Sequence, residues 1–252
     1  MPAKKVPAAR LTCAEVMKEL EKLGSAATRK VYAKHCAGEP TFGVQFGQLK
    51  GLLKRIGVDH ELALLLWESG NFDARNLAMK IADPTRATAA ELDRFAAADR
   101  GRMCGGYAAM LAAEGRHGQA LAKKWLAAKD APRRASGWLL VGQLATHDES
   151  LADEWFLAHL ATIEKAIHAA PNALREPMNM AVIQIGGRNA ALRKAATAAA
   201  KRIGKVEVDH GDTACKTPDA VEYIDKTWER AGTKFASPAA QERAREPQRL
   251  RC

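Results

Sequence analysis

From residue 11 onward, apolar residues recur every three to four positions, and almost nowhere do apolar and polar residues alternate. In 11–23, Val16, Leu20 and Leu23 share one stripe, and Thr12, three residues before Glu15, supplies a capping box. Gly24 ends this helix, and Ser25 caps a second over 26–35. A third is predicted over 45–56, with Phe46, Leu49, Leu52 and Leu53 on its apolar face. Asp59 caps 61–69, Asn71 or Asp73 caps 74–82, and Asp83-Pro84 stops that helix, because the residue before a proline avoids the helical region. The same period predicts helices over 89–97, 102–113, 117–127, 131–144, 151–169, 173–185 and 190–203. Only Lys205-Val-Glu-Val-Asp209 reads as a strand, and it is too short and isolated to decide a fold.

Adjacent helix pairs come roughly every 35 to 45 residues, the cadence of stacked helical repeats, in which each pair buries its apolar face against the next. The expected fold is all-α, a helical-repeat superhelix with a concave side; a plain helical bundle is the alternative. Residues 1–10 read as a flexible N-terminus and 11–229 as the repeat domain. From 230 to 252 there are six Lys or Arg, two acids (Glu242, Glu246), two prolines and few large apolar residues, which reads as a disordered basic tail.

Composition adds a partner class. The chain has 252 residues, with 39 Lys+Arg against 29 Asp+Glu, a formal charge of +10. That excess points to a polyanion. Five scattered cysteines without a CxxC pair indicate neither a disulfide framework nor structural zinc, and suit a reducing, cytoplasmic setting. No apolar run reaches the about 18 residues that a membrane span requires, so no membrane partner is expected.

The chemistry-bearing residue types are sparse. Asp209-His210-Gly-Asp212 holds metal-ligand types, but a local cluster of this kind reads as turn chemistry, and no metal or cofactor is expected. Cys104 has no neighbouring histidine to activate it and reads as a helix contact. Trp67, Trp125, Trp138 and Trp155 sit in apolar helical surroundings and read as core. Gly105-Gly106 and Gly186-Gly187 are candidates for close backbone approach. Arg133 and Arg134 open a helix and suit phosphate contacts, and Lys205 and Lys216 flank the 209–215 loop.

Tyr32 to Lys50, Leu64 to Arg75, Ala78 to Pro84 and Ile203 to Asp219 together resemble the DNA alkylation repair family, the HEAT-like alkylpurine DNA glycosylases, over roughly 11–228. The resemblance implies a superhelix of antiparallel helix pairs that holds duplex DNA in a basic concave groove. It also implies excision of cationic purines such as 3-methyladenine and 7-methylguanine, without base flipping. Such a base is already a good leaving group, so a carboxylate opposing the charge on the sugar carries the chemistry. The family pattern of tryptophan, three residues, then aspartate falls here on Gly101 and Gly105. The nearest acid, Asp99, lies six residues upstream of Gly105, about 9 Å along a helix axis. The second family tryptophan has no counterpart in Asn179 to Ile183, whereas Arg134 matches the phosphate-contacting arginine, and Arg75 is a further site residue by the same comparison.

The sequence thus predicts a monomer that binds duplex DNA through Arg75, Arg133, Arg134, Lys205 and Lys216. Base excision is doubtful with glycine at the carboxylate position, and Asp99 is the acid to nominate if it occurs. A non-catalytic scaffold for a protein or peptide is the alternative.

Overall fold

The computed structural model describes residues 10–35, 38, 40–98 and 102–251, without the side chains of 102–105. About 68% of the chain is helical, and no strand occurs among the described residues. The 205–209 run, the one predicted strand, has no regular secondary structure.

The helix starts follow their capping chemistry. α1 (Cys13–Leu23) carries the Thr12–Glu15 capping box, and Ser25 caps α2 (Ala26–Lys34) by accepting from the Thr28 amide. After a short 3₁₀ turn come α3 (Leu49–Ile56), α4 (His60–Glu68) and α5 (Phe72–Ile81). Asn71, not Asp73, caps α5, accepting from the amides of Asp73 and Ala74. That releases the Asp73 carboxylate to gather the 41–44 loop. It accepts from Thr41 Oγ1 at 2.7 Å and from the amides of Phe42, Gly43 and Val44 at 2.7, 3.1 and 2.9 Å. Gly43 has φ 77°, and a Cβ there would lie 2.5 Å from the Ser25 carbonyl oxygen, so glycine is required.

Five antiparallel pairs follow the N-terminal helices. α4 pairs with α5, α6 (Ala89–Ala97) with α7 (Arg102–Glu114), and α8 (Gly118–Leu126) with α9 (Ala131–His147). α10 (Asp153–Ala166) then pairs with α11 (Asn172–Gly186), and α12 (Ala190–Ile203) with α13 (Ala220–Ala231). One member of each pair packs on its counterpart in the next, giving an inner row α5–α7–α9–α11–α13. In the outer row, α10 and α12 are the only neighbours in extensive contact among the described residues. This is the repeat superhelix predicted, not a plain bundle. The row closes where side chains vanish: a Cβ on Gly186 would come within 2.8 Å of Ile224 on α13. Gly106, by contrast, faces open space and serves no close approach. The helix α13 was not predicted, although Asp219 caps it and Ile224 and Trp228 share its inner side.

The expectation of a disordered basic tail from residue 230 is corrected. Ser237 caps a further helix, α14 (Pro238–Arg243), and the strand of chain beyond it reaches back to α7 and α5. Ala239 donates its amide to the Gly187 carbonyl, and Arg243 donates to Thr146 O at 2.7 Å. Arg249 is 2% exposed and donates to Glu114 at 2.8 Å and to the Lys80 carbonyl. Lys80 Nζ returns two hydrogen bonds, to the carbonyls of Arg249 and Arg251, at 2.7 and 2.9 Å. The segment lacks apolar residues because its arginines seat on carbonyl oxygens at helix ends, where the last turns lack partners and the dipole favours cations. Residues 1–9, the rest of the predicted flexible N-terminus, lie outside the described residues.

Candidate nucleic-acid interface

Because each inner helix is reached through an outer one, the inner helices run parallel, and all their N-termini lie along one rim. Arginine stands in the fourth position of three of them: Arg75 in α5, Arg134 in α9 and Arg175 in α11. Helix N-termini carry partial positive charge and unpaired amides, so these cations add to a field that already favours anions.

The neighbours of each cation decide what it can do. The Arg75 guanidinium lies 4.7 Å from the centroid of the Trp67 ring and donates to the Trp67 carbonyl, with no carboxylate partner among the described residues. Arg134 is half-buried and likewise without an acidic partner among them. Arg175 spends its donors on the carbonyls of His168 and Ala170, in the connection from α10, and of Glu207, which ties the 204–219 segment to α11, while its charge stays uncancelled. Asn172 exchanges two hydrogen bonds with Asp209, and Asn179 donates to the Pro218 carbonyl, completing that attachment.

Arg133 is different. It ion-pairs with Asp93 on α6 at 3.3 Å and with Asp130 at 3.0 Å, and the indole of Trp125 and the ammonium of Lys124 also bond Asp93. Burial would raise the Asp93 carboxyl, but these donors outweigh it and hold the group below the usual carboxylate range. Burial likewise works against the Arg133 cation, yet its bonds to Asp93 and Asp130 leave its pKa raised. Arg133 therefore ties α6 to α9, and its charge is cancelled locally. Lys205 is exposed and pairs with Glu207 at 2.6 Å, while Lys216 is exposed just ahead of α13.

Asp99 and Gly101 lie outside the described residues, and Gly105 falls in the part of α7 whose side-chain surroundings do too. The 209–215 loop shows turn chemistry: Asp209 accepts from the Gly211 amide, His210 bonds Thr217, and Asp212 pairs with Lys34 at 2.8 Å. No group of three or more His, Cys, Asp or Glu suited to a metal occurs among the described residues. Trp67, Trp125 and Trp138 are core, as predicted, whereas Trp155 is half-buried. Sequence reasoning missed Arg175, whose only signal is its register, the same fourth helical position as Arg75 and Arg134.

Stacked antiparallel pairs with parallel, cation-bearing inner helices define a HEAT-like helical-repeat protein. The chain belongs to the DNA alkylation repair enzyme family, whose model matches residues 16–224. It is similar to uncharacterized proteins of Listeria innocua and Listeria monocytogenes, each 29% identical over 221 residues, covering 84% of this chain and 95% of theirs. It also resembles a solved structure at TM-score 0.80 and 29% identity, covering 90% of this chain and 98% of that one. That structure is described as a new family of proteins related to the HEAT-like repeat DNA glycosylases with affinity for branched DNA structures.

Proposed function

We propose that this chain binds DNA, duplex or branched, by seating the sugar–phosphate backbone on the N-terminal rim of the inner helices, and that it excises no base. The observation that carries the reading is the alignment of Arg75, Arg134 and Arg175 at parallel helix N-termini with no carboxylate among the described residues to cancel them. Lys216 extends the rim at α13. Arg133, paired with Asp93 and Asp130, serves the scaffold instead. The similarity to a protein described as having affinity for branched DNA supports DNA as the polyanion and branched DNA as a form to test. Glycine at the family's carboxylate position argues against excision.

The test is binding of labelled duplex and four-way junction DNA over a salt series. The three arginine contacts alone give a log–log slope of about −2.7, so affinity falls on the order of 40-fold or more between 50 and 200 mM salt. Arg134→Glu is expected to weaken both DNAs and to flatten the slope by about 1. Salt-independent binding, or equal affinity for that variant, overturns the rim. Release of 7-methylguanine from alkylated DNA by the purified protein overturns the non-catalytic reading. A protein or peptide partner is the second reading, favoured by the half-buried apolar side chains Met110, Leu139 and Met180 on α7, α9 and α11. Absence of DNA binding at low salt would put that reading first.

A further inference from the structure

A cleft of about 590 Å³ lies between α8 and α10 of the outer row, which make no extensive contact with each other. A space of this size is in the range of small-ligand sites, about 300–1,000 Å³. Its walls combine an aromatic surface with polar side chains. Trp155 contributes a half-buried indole, and His159, one turn on, meets it edge-on at 4.2 Å. Trp138 meets the same imidazole edge-on at 5.9 Å, so His159 packs against both indoles. Burial lowers the His159 pKa, which keeps the ring neutral, with one nitrogen donating and the other accepting.

Across the cleft, α8 presents Gln119 and Lys123, four residues apart and therefore neighbours on one helix face. No hydrogen bond or ion pair occupies the Gln119 amide, the Lys123 ammonium or the His159 ring among the described residues. Lys124, the adjacent cation, is by contrast committed to Asp93. A flat aromatic wall, a neutral ring with both a donor and an acceptor, a carboxamide and an uncommitted cation converge on one opening.

We propose that this cleft is a binding site for a nucleoside phosphate, its base stacked on Trp155 and hydrogen-bonded by His159 and Gln119, its phosphate paired with Lys123. The nucleoside phosphate is either a free mononucleotide or an unpaired nucleotide in a DNA strand, and only the second source rests on the DNA-binding reading. Base–aromatic stacking of this kind tolerates any base, because every base has a π-face, whereas the cation sets the requirement for phosphate.

The experiment titrates the full chain with AMP, with a labelled fully paired duplex, and with the same duplex carrying an unpaired single-stranded arm. Wild type is expected to bind AMP in the millimolar range or tighter, or to bind the armed duplex more tightly than the paired one. Trp155→Ala is expected to weaken that binding about 5- to 150-fold, while Trp155→Phe, which keeps a ring, retains most of it. Lys123→Glu alters an exposed side chain, so it tests the phosphate contact with little threat to the fold. A gain with AMP alone identifies the free nucleotide, and a gain with the arm alone identifies the strand. Paired-duplex affinity should be unchanged in all three variants, and AMP affinity unchanged in Arg134→Glu. AMP and arm effects absent from wild type, or equal in wild type, Trp155→Ala and Lys123→Glu, overturn the site. Loss of duplex binding with AMP binding intact overturns the rim and leaves the site standing.

Discussion

Arg249 offers a direct test of whether the C-terminal segment is part of the fold. Its guanidinium is 2% exposed, bonds Glu114 at 2.8 Å and donates to the Lys80 carbonyl; the Glu114 side chain is 11% exposed. Arg249→Met keeps most of the side-chain volume and removes the cation, leaving a buried carboxylate without its partner. Breaking a buried pair in this way costs about 3–5 kcal/mol. For a domain of this size each kcal/mol is worth about 2–4 °C, so Tm should fall by roughly 6 to 20 °C. The deficit should depend on pH. Burial already pushes the Glu114 carboxyl up while Arg249 works against it, so removing Arg249 raises it further. A carboxyl raised in the folded state binds its proton more tightly there than when unfolded. The variant should therefore be nearest wild type below the unfolded value of about 4.3, and its deficit should deepen as pH rises toward 7. Glu114→Gln in the same background removes the orphaned charge and should recover part of the loss at neutral pH. The assay is thermal melting across pH, with limited proteolysis of 232–251 to separate global from local unfolding. A variant within about 1 kcal/mol of wild type, with the segment equally protected, would refute the reasoning.

Three further outcomes follow from the same geometry. Asp73→Ala strips the partner from one hydroxyl and three amides of the 41–44 loop, and chemical denaturation should show a loss of about 2–4 kcal/mol. Gly43→Ala combines a positive φ with contact on the Ser25 carbonyl, and the same assay should register at least about 2 kcal/mol, against near-neutral behaviour for Gly106→Ala, which points into open space. His147 is held below its usual pKa, first by burial and then by Arg243, with Glu242 opposing. Its unfolded form takes the proton first, so stability should fall as pH drops below about 6.5, and His147→Gln should flatten that part of the profile.

The helical architecture was legible because its signals are local. The Thr12–Glu15 box, the Ser25 and Asp59 caps, and the Asp83-Pro84 stop each act within four residues, and each stands where predicted. The choice between Asn71 and Asp73 was not local: Asp73 belongs to a loop some thirty residues earlier. The C-terminal segment was misread for the same reason, since Arg249 meets Glu114 and Lys80 across 135 and 169 residues of chain. A run of arginines with little apolar company looks solvated until the carbonyls it seats on are known. In the site, Arg133 and Arg134 are indistinguishable as sequence. Only the arrival of Asp93 from α6 makes one a structural tie and leaves the other without a carboxylate.

The two rims of the inner row show how one excess of positive charge serves two purposes. At the C-terminal ends of α5, α7 and α9, cations are consumed by the fold. Arg188 donates to the carbonyls of Ala145, Asp148 and Leu151, Arg243 to Thr146, and Arg249 to Lys80 and Glu114. These ends carry the negative pole of each helix and unpaired carbonyls, so basic side chains seated there offset an intrinsic cost. At the N-terminal ends the pole is positive, and arginines placed there repel it. Arg75 and Arg175 are held in place by an indole and by backbone carbonyls, not by carboxylates, which orients the charge without cancelling it. Like charges gathered at like poles repel one another, although Arg175 also holds the 204–219 segment to α11. Their register in α5, α9 and α11 is what the proposed phosphate contacts require.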